Sequence, residues 1–412
     1  MTIGISSWEL KAAKSYPKLT ENIEAEAVVV GAGMAGIFTA YILAKAGIRV
    51  VVLEKNENIL QRTTLMTTAF ITQPVDTPLV ELVKMYGETN AKLVWKSGQD
   101  AIDLIADIVK KENIECEFQF VPAYTYAQDE KQFAKLTKEC AIIKKLGFKA
   151  NLEKDGAKLN FRNSGILEIP NQAKFHPIKF ARALAEKAEA AGAKFFTSSE
   201  VMSIEGLIVR TKSGQIKTKD IMIATYAPLT NEGTRFKKGM YVSYVYELEI
   251  AKGLLGEGLY QDMHNPYHYF RIDNYTNFDR MLVGGEDNRE EIKVSSDKNF
   301  KALEEYIKTV LNGNDYKIKR KWYGPILEPV DGLALIGKIK PHTYVATGFS
   351  GTGMTYSAIS SLIIRDLILA DKNDYIHLYD PRRIPSLKQL FIKGADYTGE
   401  VFGGVVKNFF YR

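Results

Sequence analysis

Residues 27–53, AVVVGAGMAGIFTAYILAKAGIRVVVL, leave this chain few folds to choose from. Val28–Val30 read as a buried strand and Gly31-x-Gly33-x-x-Gly36 as a turn. Ile37, Ala40, Tyr41, Leu43 and Ala44 then follow a helical period, and Val50–Leu53 form a second strand that ends in Glu54. Each glycine has its own duty. Gly31 permits the tight turn, Gly33 lets backbone approach a pyrophosphate, and Gly36 allows close packing of helix on strand. The amides that open the helix, at Met34 and Ala35, face the phosphates. Glu54, followed by Lys55, stands where a carboxylate accepts hydrogen bonds from a ribose, and its charge disfavours a 2′-phosphate. Strand, turn, helix, strand and acid together predict a dinucleotide-binding unit. The run is no membrane helix, because Gly31, Gly33, Gly36, Lys45 and Arg49 interrupt it.

A second glycine-rich turn lies far downstream, in TYVATGFSGTGMTYSAISSLIIRDLI, residues 343–368. Tyr344–Ala346 read as a strand, Gly348, Gly351 and Gly353 as the turn, and the rest as a helix. Residues 150–320 hold no second complete fingerprint; GLLGEGLYQ, 253–261, fails the spacing. One long cofactor therefore serves both turns, the downstream helix end meeting the end remote from the pyrophosphate. In a flavin, negative charge develops at the N1–C2=O edge on reduction, and a helix N-terminus stabilises it. Gly351, Thr352, Gly353 and Met354 are the candidates for that contact.

Composition excludes several classes. The 412 residues are 46% hydrophobic and 25% charged, as in a soluble protein of more than one folded unit. The net charge of +6 is spread along the chain, so nucleic acid is not an expected partner. Cys116 and Cys140 are the only cysteines and form neither a disulfide framework nor a metal set. The expectation is a reducing, cytoplasmic setting. No transmembrane segment is read, and MTIGISSWELKAAKSYPKL lacks the apolar core of a signal peptide.

Six stretches occur in one order: the Gly31 fingerprint, TTLMTTAFIT (63–72), NQAKFHP (171–177), MIATYAP (222–228), LVGGEDNRE (282–290) and YVATGFSGTGMT (344–355). Together they resemble the D-amino-acid oxidase (DAO) family of FAD-dependent oxidoreductases, over about Trp8 to Arg383. The branch they resemble most carries a Rieske iron–sulfur domain behind the flavoprotein. The resemblance implies an α/β fold: a three-layer, Rossmann-type FAD-binding domain from residues 1–75, 165–235 and 323–383, with an inserted mixed-sheet α+β substrate domain from 76–164 and 236–322. Residues 76–164 read mainly as helices, with Ile102, Leu104, Ile105, Ile108 and Val109 on one face.

The resemblance also implies cofactor contacts. Arg62, Thr63 and Thr64 fall near the flavin phosphates or ribityl chain, and Thr67, Thr68 and Ala69 along the ring edge. Val201 meets the adenine through its backbone, Ala224 and Thr225 lie near the cofactor, and Gly348, Phe349 and Gly353 close over the pyrimidine end. FAD is expected to be non-covalent, since neither cysteine falls at a family attachment position.

Departures from the family pattern matter as much. Amino-acid oxidases of this family hold the substrate carboxylate with an arginine shortly after Trp-x-Gly; here WYGPILEPVDGLALIG, 322–337, has Ile326 at that place. The branch typically shows Gly-His ahead of Thr-Thr-Ala-Lys, where this chain has Leu65-Met66 ahead of Thr67-Thr68-Ala69-Phe70, and it often has Trp where Thr352 stands. A Rieske cluster needs paired Cys and His motifs, which this sequence lacks. Residues 384–412, a C-terminal helical segment, suit a docked helix, a partner-binding segment or a membrane-surface contact.

Three residues stand as catalytic candidates. Arg271 could bind an anionic substrate or serve a structural ion pair; His268 could act as a base or simply be hydrogen-bonded; Tyr246 could line the cavity or the core. His176, before Pro177, either fixes a turn or borders the flavin. The expected activity is oxidation of the C–N bond of a small amine or amino acid by hydride transfer to flavin N5, electrons passing to oxygen or to a redox protein partner. A dehydrogenase subunit serving a separate iron–sulfur protein and a non-catalytic FAD scaffold are the two alternatives. The oligomeric state stays open.

Overall fold

Four-residue apolar runs with no polar alternation belong in strands covered on both faces. Ala27–Val30 and Val50–Leu53 are such runs, and every residue of both is buried. They lie inside a six-stranded sheet ordered Leu335–Lys340, Thr343–Thr347, Asp220–Ile223, Ala27–Val30, Val50–Leu53, Lys194–Phe196. Only Leu335–Lys340 runs antiparallel. The computed structural model describes residues 6–8, 14–155, 159–226, 238–289 and 296–396.

Helix Met34–Lys45 buries ten of its twelve residues, so it needs cover on more than the sheet side. Helices Pro177–Ala190 and Gly353–Leu369 supply it. A four-stranded sheet, Ile23–Glu24, Gln215–Lys217, Ile208–Thr211 and Val201–Glu205, adds a small apolar layer around Val209 and Ile216.

The third sheet is ordered Tyr316–Pro329, Lys238–Ile250, Asp279–Arg289, His268–Asn274, Gly258–Gln261, Gln119–Ala127, Gly165–Lys174, Phe70–Ile71, with Asn151–Lys154 also on Gly165–Lys174. Period-two alternation gives it two faces. Tyr244, Tyr246, Leu248, Phe270, Ile272 and Val283 pack with Phe300, Leu303, Tyr306 and Ile307 of helix Ser296–Leu311. The opposite face carries Ser243, Val245, Glu247, Tyr269, Arg271 and Asp273.

Several expectations need correction. Residues 76–164 are mainly helical as read, in Leu79–Lys111 and Glu130–Lys145, with the nine-residue strand Gln119–Ala127 between them. Helix Leu79–Lys111 breaks at Gly87 (φ 80°, ψ 162°), while Ile102, Ile105 and Ile108 form its buried face as read from the period. The boundaries at 164/165 and 322/323 do not separate sheets, because Gly165–Lys174 belongs to the large sheet and Tyr316–Pro329 is one continuous strand of it. The boundary at 235/236 lies outside the described residues. Of the C-terminal segment, Leu387–Asp396 is a helix, and residues 397–412 lie outside the described residues.

Candidate cofactor and substrate site

Gly31 has φ +106°, and a Cβ there would sit 2.6 Å from the Ala224 carbonyl oxygen. At Gly36 the added carbon would lie 1.9 Å from the Gly31 oxygen. Both positions are therefore closed to any side chain. Gly33 differs: a Cβ would meet only Thr64 Oγ1, at 3.7 Å. It caps the helix without a side-chain bond of its own; of the opening amides, Met34 N–H is taken by Thr64 Oγ1 at 3.2 Å. Glu54 is buried beside this turn; its Oε2 accepts from the Ala32 amide and its Oε1 from the Asn56 amide, both at 2.9 Å. Carboxylate oxygens have lone pairs to spare for a ribose. Ser199 N–H donates to the Glu54 carbonyl, which brings the start of strand Val201–Glu205 to the same end. Ala224 and Thr225 abut Gly31. Lys55 and Arg62 are exposed, Arg62 preceding the short helix Thr63–Met66.

Strands Ala27–Val30 and Thr343–Thr347 both run parallel to Asp220–Ile223, so both glycine turns emerge from the carboxyl edge of one sheet. Ligands of open α/β sheets bind at that edge. Gly348 has φ +70° with Pro329 Cγ 2.7 Å from a virtual Cβ. Thr352 caps helix Gly353–Leu369 without a side-chain bond, and a Cβ at Gly353 would meet nothing within 4 Å. Two helix N-termini on one sheet edge, with open space at Gly353, fit a long anionic cofactor. Two candidates change role: the Gly351 amide is given to Asp76 Oδ2 at 2.7 Å, and the Thr352 amide to the Phe349 carbonyl, which leaves Gly353 and Met354 as the pair at the open end.

The segment between the turns is held from both sides. Thr64 Oγ1 accepts from the Met34 amide at 3.2 Å, and Trp322 Nε1 donates to the Met66 carbonyl at 2.9 Å. Trp8 is wholly buried; its indole donates to the Thr67 carbonyl at 2.5 Å and packs against the guanidiniums of Arg271 and Arg280, 5.3 and 4.9 Å from the ring. Ala69 has φ +59°.

The three catalytic candidates are reassigned. Arg271 Nη1 donates to the carbonyls of Thr68, Ala69 and Phe175, while Nε and Nη2 bond Asp273. Its donors go to the protein, and it fixes the loop instead of a substrate. Asp273 is buried, yet the charges of Arg271, Arg280 and Lys174 hold its carboxyl far below the ordinary range. His268 points to the opposite, helix-covered face, stacked 4.0 Å from Tyr306, with Nδ1 on Asp262 at 2.7 Å and Nε2 on Glu286 at 3.0 Å. Burial opposes its charge, but the two carboxylates win and raise its pKa. Tyr246 packs on Phe300 on that same face. His176 caps helix Pro177–Ala190, Nδ1 accepting from the Lys179 amide, and burial lowers its pKa to about 4.

On the face toward Thr68 stand residues the sequence reading did not single out. Tyr269 OH reaches Ser243 Oγ at 3.2 Å and the Thr68 side chain, and its ring meets Phe70 edge-on. Asp287 is hydrogen-bonded by Ser243 and Tyr267. Strand parity in YHYFRID was a usable signal: it puts Tyr267, Tyr269 and Arg271 on one face and His268 on the other. Among the described residues no group of His, Cys, Asp and Glu could hold a metal, and no helix is long and apolar enough to cross a membrane.

The family model described as FAD dependent oxidoreductase (DAO) matches residues 26–367. A Bacillus subtilis protein named as a Rieske 2Fe-2S iron–sulfur protein, YhfW, is 29% identical over 406 residues, 95% of this chain and 78% of that protein. Gamma-glutamylputrescine oxidoreductase of Escherichia coli is 24% identical over 394 residues, 90% of each chain. Among solved structures, L-proline dehydrogenase from P. horikoshii has a TM-score of 0.74 at 20% identity, covering 88% of this chain and 98% of that one. Glycine oxidase from Geobacillus kaustophilus has a TM-score of 0.73 at 18% identity, covering 88% and 99%. At these identities the structural likeness speaks to the fold.

Proposed function

The chain belongs to the FAD-dependent oxidoreductase family, and from that premise we propose that it oxidises the C–N bond of an amine or amino acid, with FAD held non-covalently. The observation that carries this reading is the pair of helix N-termini on one sheet edge, with the Thr67–Ala69 loop and the Tyr269 face beside them. When bound, FAD supplies the hydride acceptor at N5. The chain's own work is placement. The helix end at Gly33 would hold the pyrophosphate and Glu54 the ribose. The open end at Gly353 offers a positive pole to charge that develops on reduction. Arg271 and Trp8 brace the Thr67–Ala69 loop from behind, while Tyr267, Tyr269 and Ser243 orient the substrate and exclude water.

Non-covalent binding is supported by both cysteines being buried and free; burial pushes the Cys116 thiol up to about 12, so it stays protonated and inert. Free cysteines also suit the cytoplasmic setting. Electron transfer to a separate redox protein, in place of oxygen, is a second reading, favoured by the similarity to a protein named for a Rieske cluster.

The test is an anaerobic titration of the purified holoprotein with amines and amino acids. Loss of the oxidised-flavin bands with one substrate class supports the reading, and readmitted air separates oxidase from carrier-linked enzyme. Bound flavin that no C–N substrate reduces, or a folded protein with no affinity for FAD, overturns it.

A further inference from the structure

His268 Nδ1 lies 2.7 Å from Asp262 Oδ2, and its Nε2 lies 3.0 Å from Glu286 Oε1. A carboxylate only accepts hydrogen bonds, and a neutral imidazole has one N–H to give. Two such bonds therefore require the imidazolium. The other groups facing the ring are His264, edge-on at 5.9 Å, and Tyr306, stacked on it at 4.0 Å with its hydroxyl 2.6 Å from that of Tyr126.

Glu286 has φ +55°, a left-handed conformation that is costly for a residue with a Cβ. It occupies a bulge. Val242 pairs with Asn288 and Tyr244 with Gly285, so one residue, Ser243, stands opposite two, Glu286 and Asp287. Faces alternate along a strand. Gly284 lies on the face of Tyr269, whose ring fills the space a Cβ there would take, and Gly285 lies on the helix-covered face against His268. Plain alternation would return Glu286 to the Tyr269 face. Instead its carboxylate bonds His268 on the helix-covered face, and its carbonyl accepts from Asn299 Nδ2 of helix Ser296–Leu311 at 2.9 Å. Asp287 then takes the Tyr269 face, where Ser243 and Tyr267 hydrogen-bond it. The bond to His268 thus decides which of two consecutive acids looks toward the Thr67–Ala69 loop.

Resting on the flavoprotein reading above, we infer that His268 is a positioning residue: its imidazolium holds Glu286 away from the substrate face, and loss of one proton releases that carboxylate onto it. The Asp262 side chain is wholly buried and that of Glu286 is 19% exposed. A neutral ring therefore keeps its remaining N–H on Asp262, the carboxylate that water cannot reach, and turns the lone pair of Nε2 toward Glu286. Repulsion and the strain at Glu286 then act in the same direction. Burial opposes the imidazolium, but the two carboxylates outweigh it, so the ring holds its second proton above the ordinary 6.5. The substrate face is set below that titration and gains negative charge as the ring passes through it.

The experiment uses FAD-loaded protein and two readouts. Sulfite, an anion that adds reversibly to oxidised flavin and bleaches it, is titrated as a probe of charge on the substrate face. His268→Gln should weaken sulfite about 10-fold at about pH 6, as a carboxylate brought beside an anion does. Adding Glu286→Gly to that variant should restore the wild-type affinity, because glycine adopts the left-handed conformation freely and carries no charge. The sulfite affinity of the wild type, relative to that of Glu286→Gly alone, should fall as pH rises through the His268 titration. In nitrogen NMR spectra of the wild type, one of the five histidines should hold both ring protons at about pH 7 and lose the proton on Nε2 first. Those spectra decide the matter even if His268→Gln does not fold. A His268 ring with a single proton at that pH, unaltered sulfite affinity in folded His268→Gln, or a double variant as weak as His268→Gln overturns the inference while the flavoprotein reading stands. A folded protein with no affinity for FAD overturns both.

Discussion

Trp8 Nε1 donates to the carbonyl of Thr67 at 2.5 Å, joining the start of the chain to the loop expected along the flavin ring. The indole also packs against Arg271 and Arg280, the two cations that share the carboxylate of Asp273. Trp8→Phe keeps a ring between the guanidiniums and loses the hydrogen bond, an expected cost of about 1 kcal/mol. Trp8→Ala empties the site and should cost about 3–5 kcal/mol. Urea denaturation of both variants measures the difference, and FAD affinity should fall in the same order. Equal stability of the two would show that the indole N–H and ring volume are irrelevant there.

Arg271 touches loop carbonyls and Asp273. Arg271→Lys cannot reproduce that fork of donors, so a loss of stability of about 2–4 kcal/mol is expected, with weaker FAD binding. A change confined to KM for substrate, with stability intact, would return this residue to the substrate pocket.

The glycines of the two turns should behave oppositely. Gly36→Ala forces a carbon to 1.9 Å from the Gly31 oxygen and should abolish folded protein. Gly353→Ala meets nothing within 4 Å, and alanine favours a helix by up to about 1 kcal/mol. Thermal unfolding of apoprotein should therefore be unchanged or slightly raised by Gly353→Ala, while FAD titration shows weaker binding, because the methyl occupies space kept for the cofactor. Unaltered FAD affinity would remove Gly353 from the cofactor contact.

His268 and Asp287 both hold a proton longer in the folded state, so the stability tied to each falls as pH rises, over different ranges. A histidine whose pKa is raised on folding contributes stability fully below its unfolded value, about 6.5, and loses it as pH climbs through the higher folded value. Denaturation midpoints of the wild type should fall over that upper range, and those of His268→Gln should not.

Asp287 is a carboxylate raised on folding from an ordinary 3.8 to about 7, so the folded state holds its proton longer than the unfolded one. It therefore removes stability as pH rises from about 4 to about 7 and leaves a constant deficit above. Asp287→Asn should be more stable than wild type at pH 8 by up to about 4 kcal/mol. A variant less stable at pH 8 would contradict the placement of this acid among acids.

Local pattern alone settled the first strand–turn–helix–strand of this protein. Gly31, Gly33, Gly36 and Glu54 are close in sequence, and the sterics of such a unit act within a few residues, so their placement was legible before any fold was known. The second turn at Gly348–Gly353 was legible as a turn for the same reason, but its Gly351 amide is spent on Asp76, a partner 275 residues away that no local rule could name. Strand parity could have separated Tyr269 from His268; what it could not do was say which face meets the loop at Thr68. That choice belongs to the tertiary structure, because helix Ser296–Leu311 covers one face of the large sheet and buries Tyr246 and His268 with it. The same packing turned Arg271 from a substrate ligand into a brace, and it brought Asp76, Asp287 and Glu328 together from three separate stretches of chain. The carboxyl of Asp287 is pushed up because folding buries it and brings the charges of Asp76 and Glu328, far off in sequence, to bear on it.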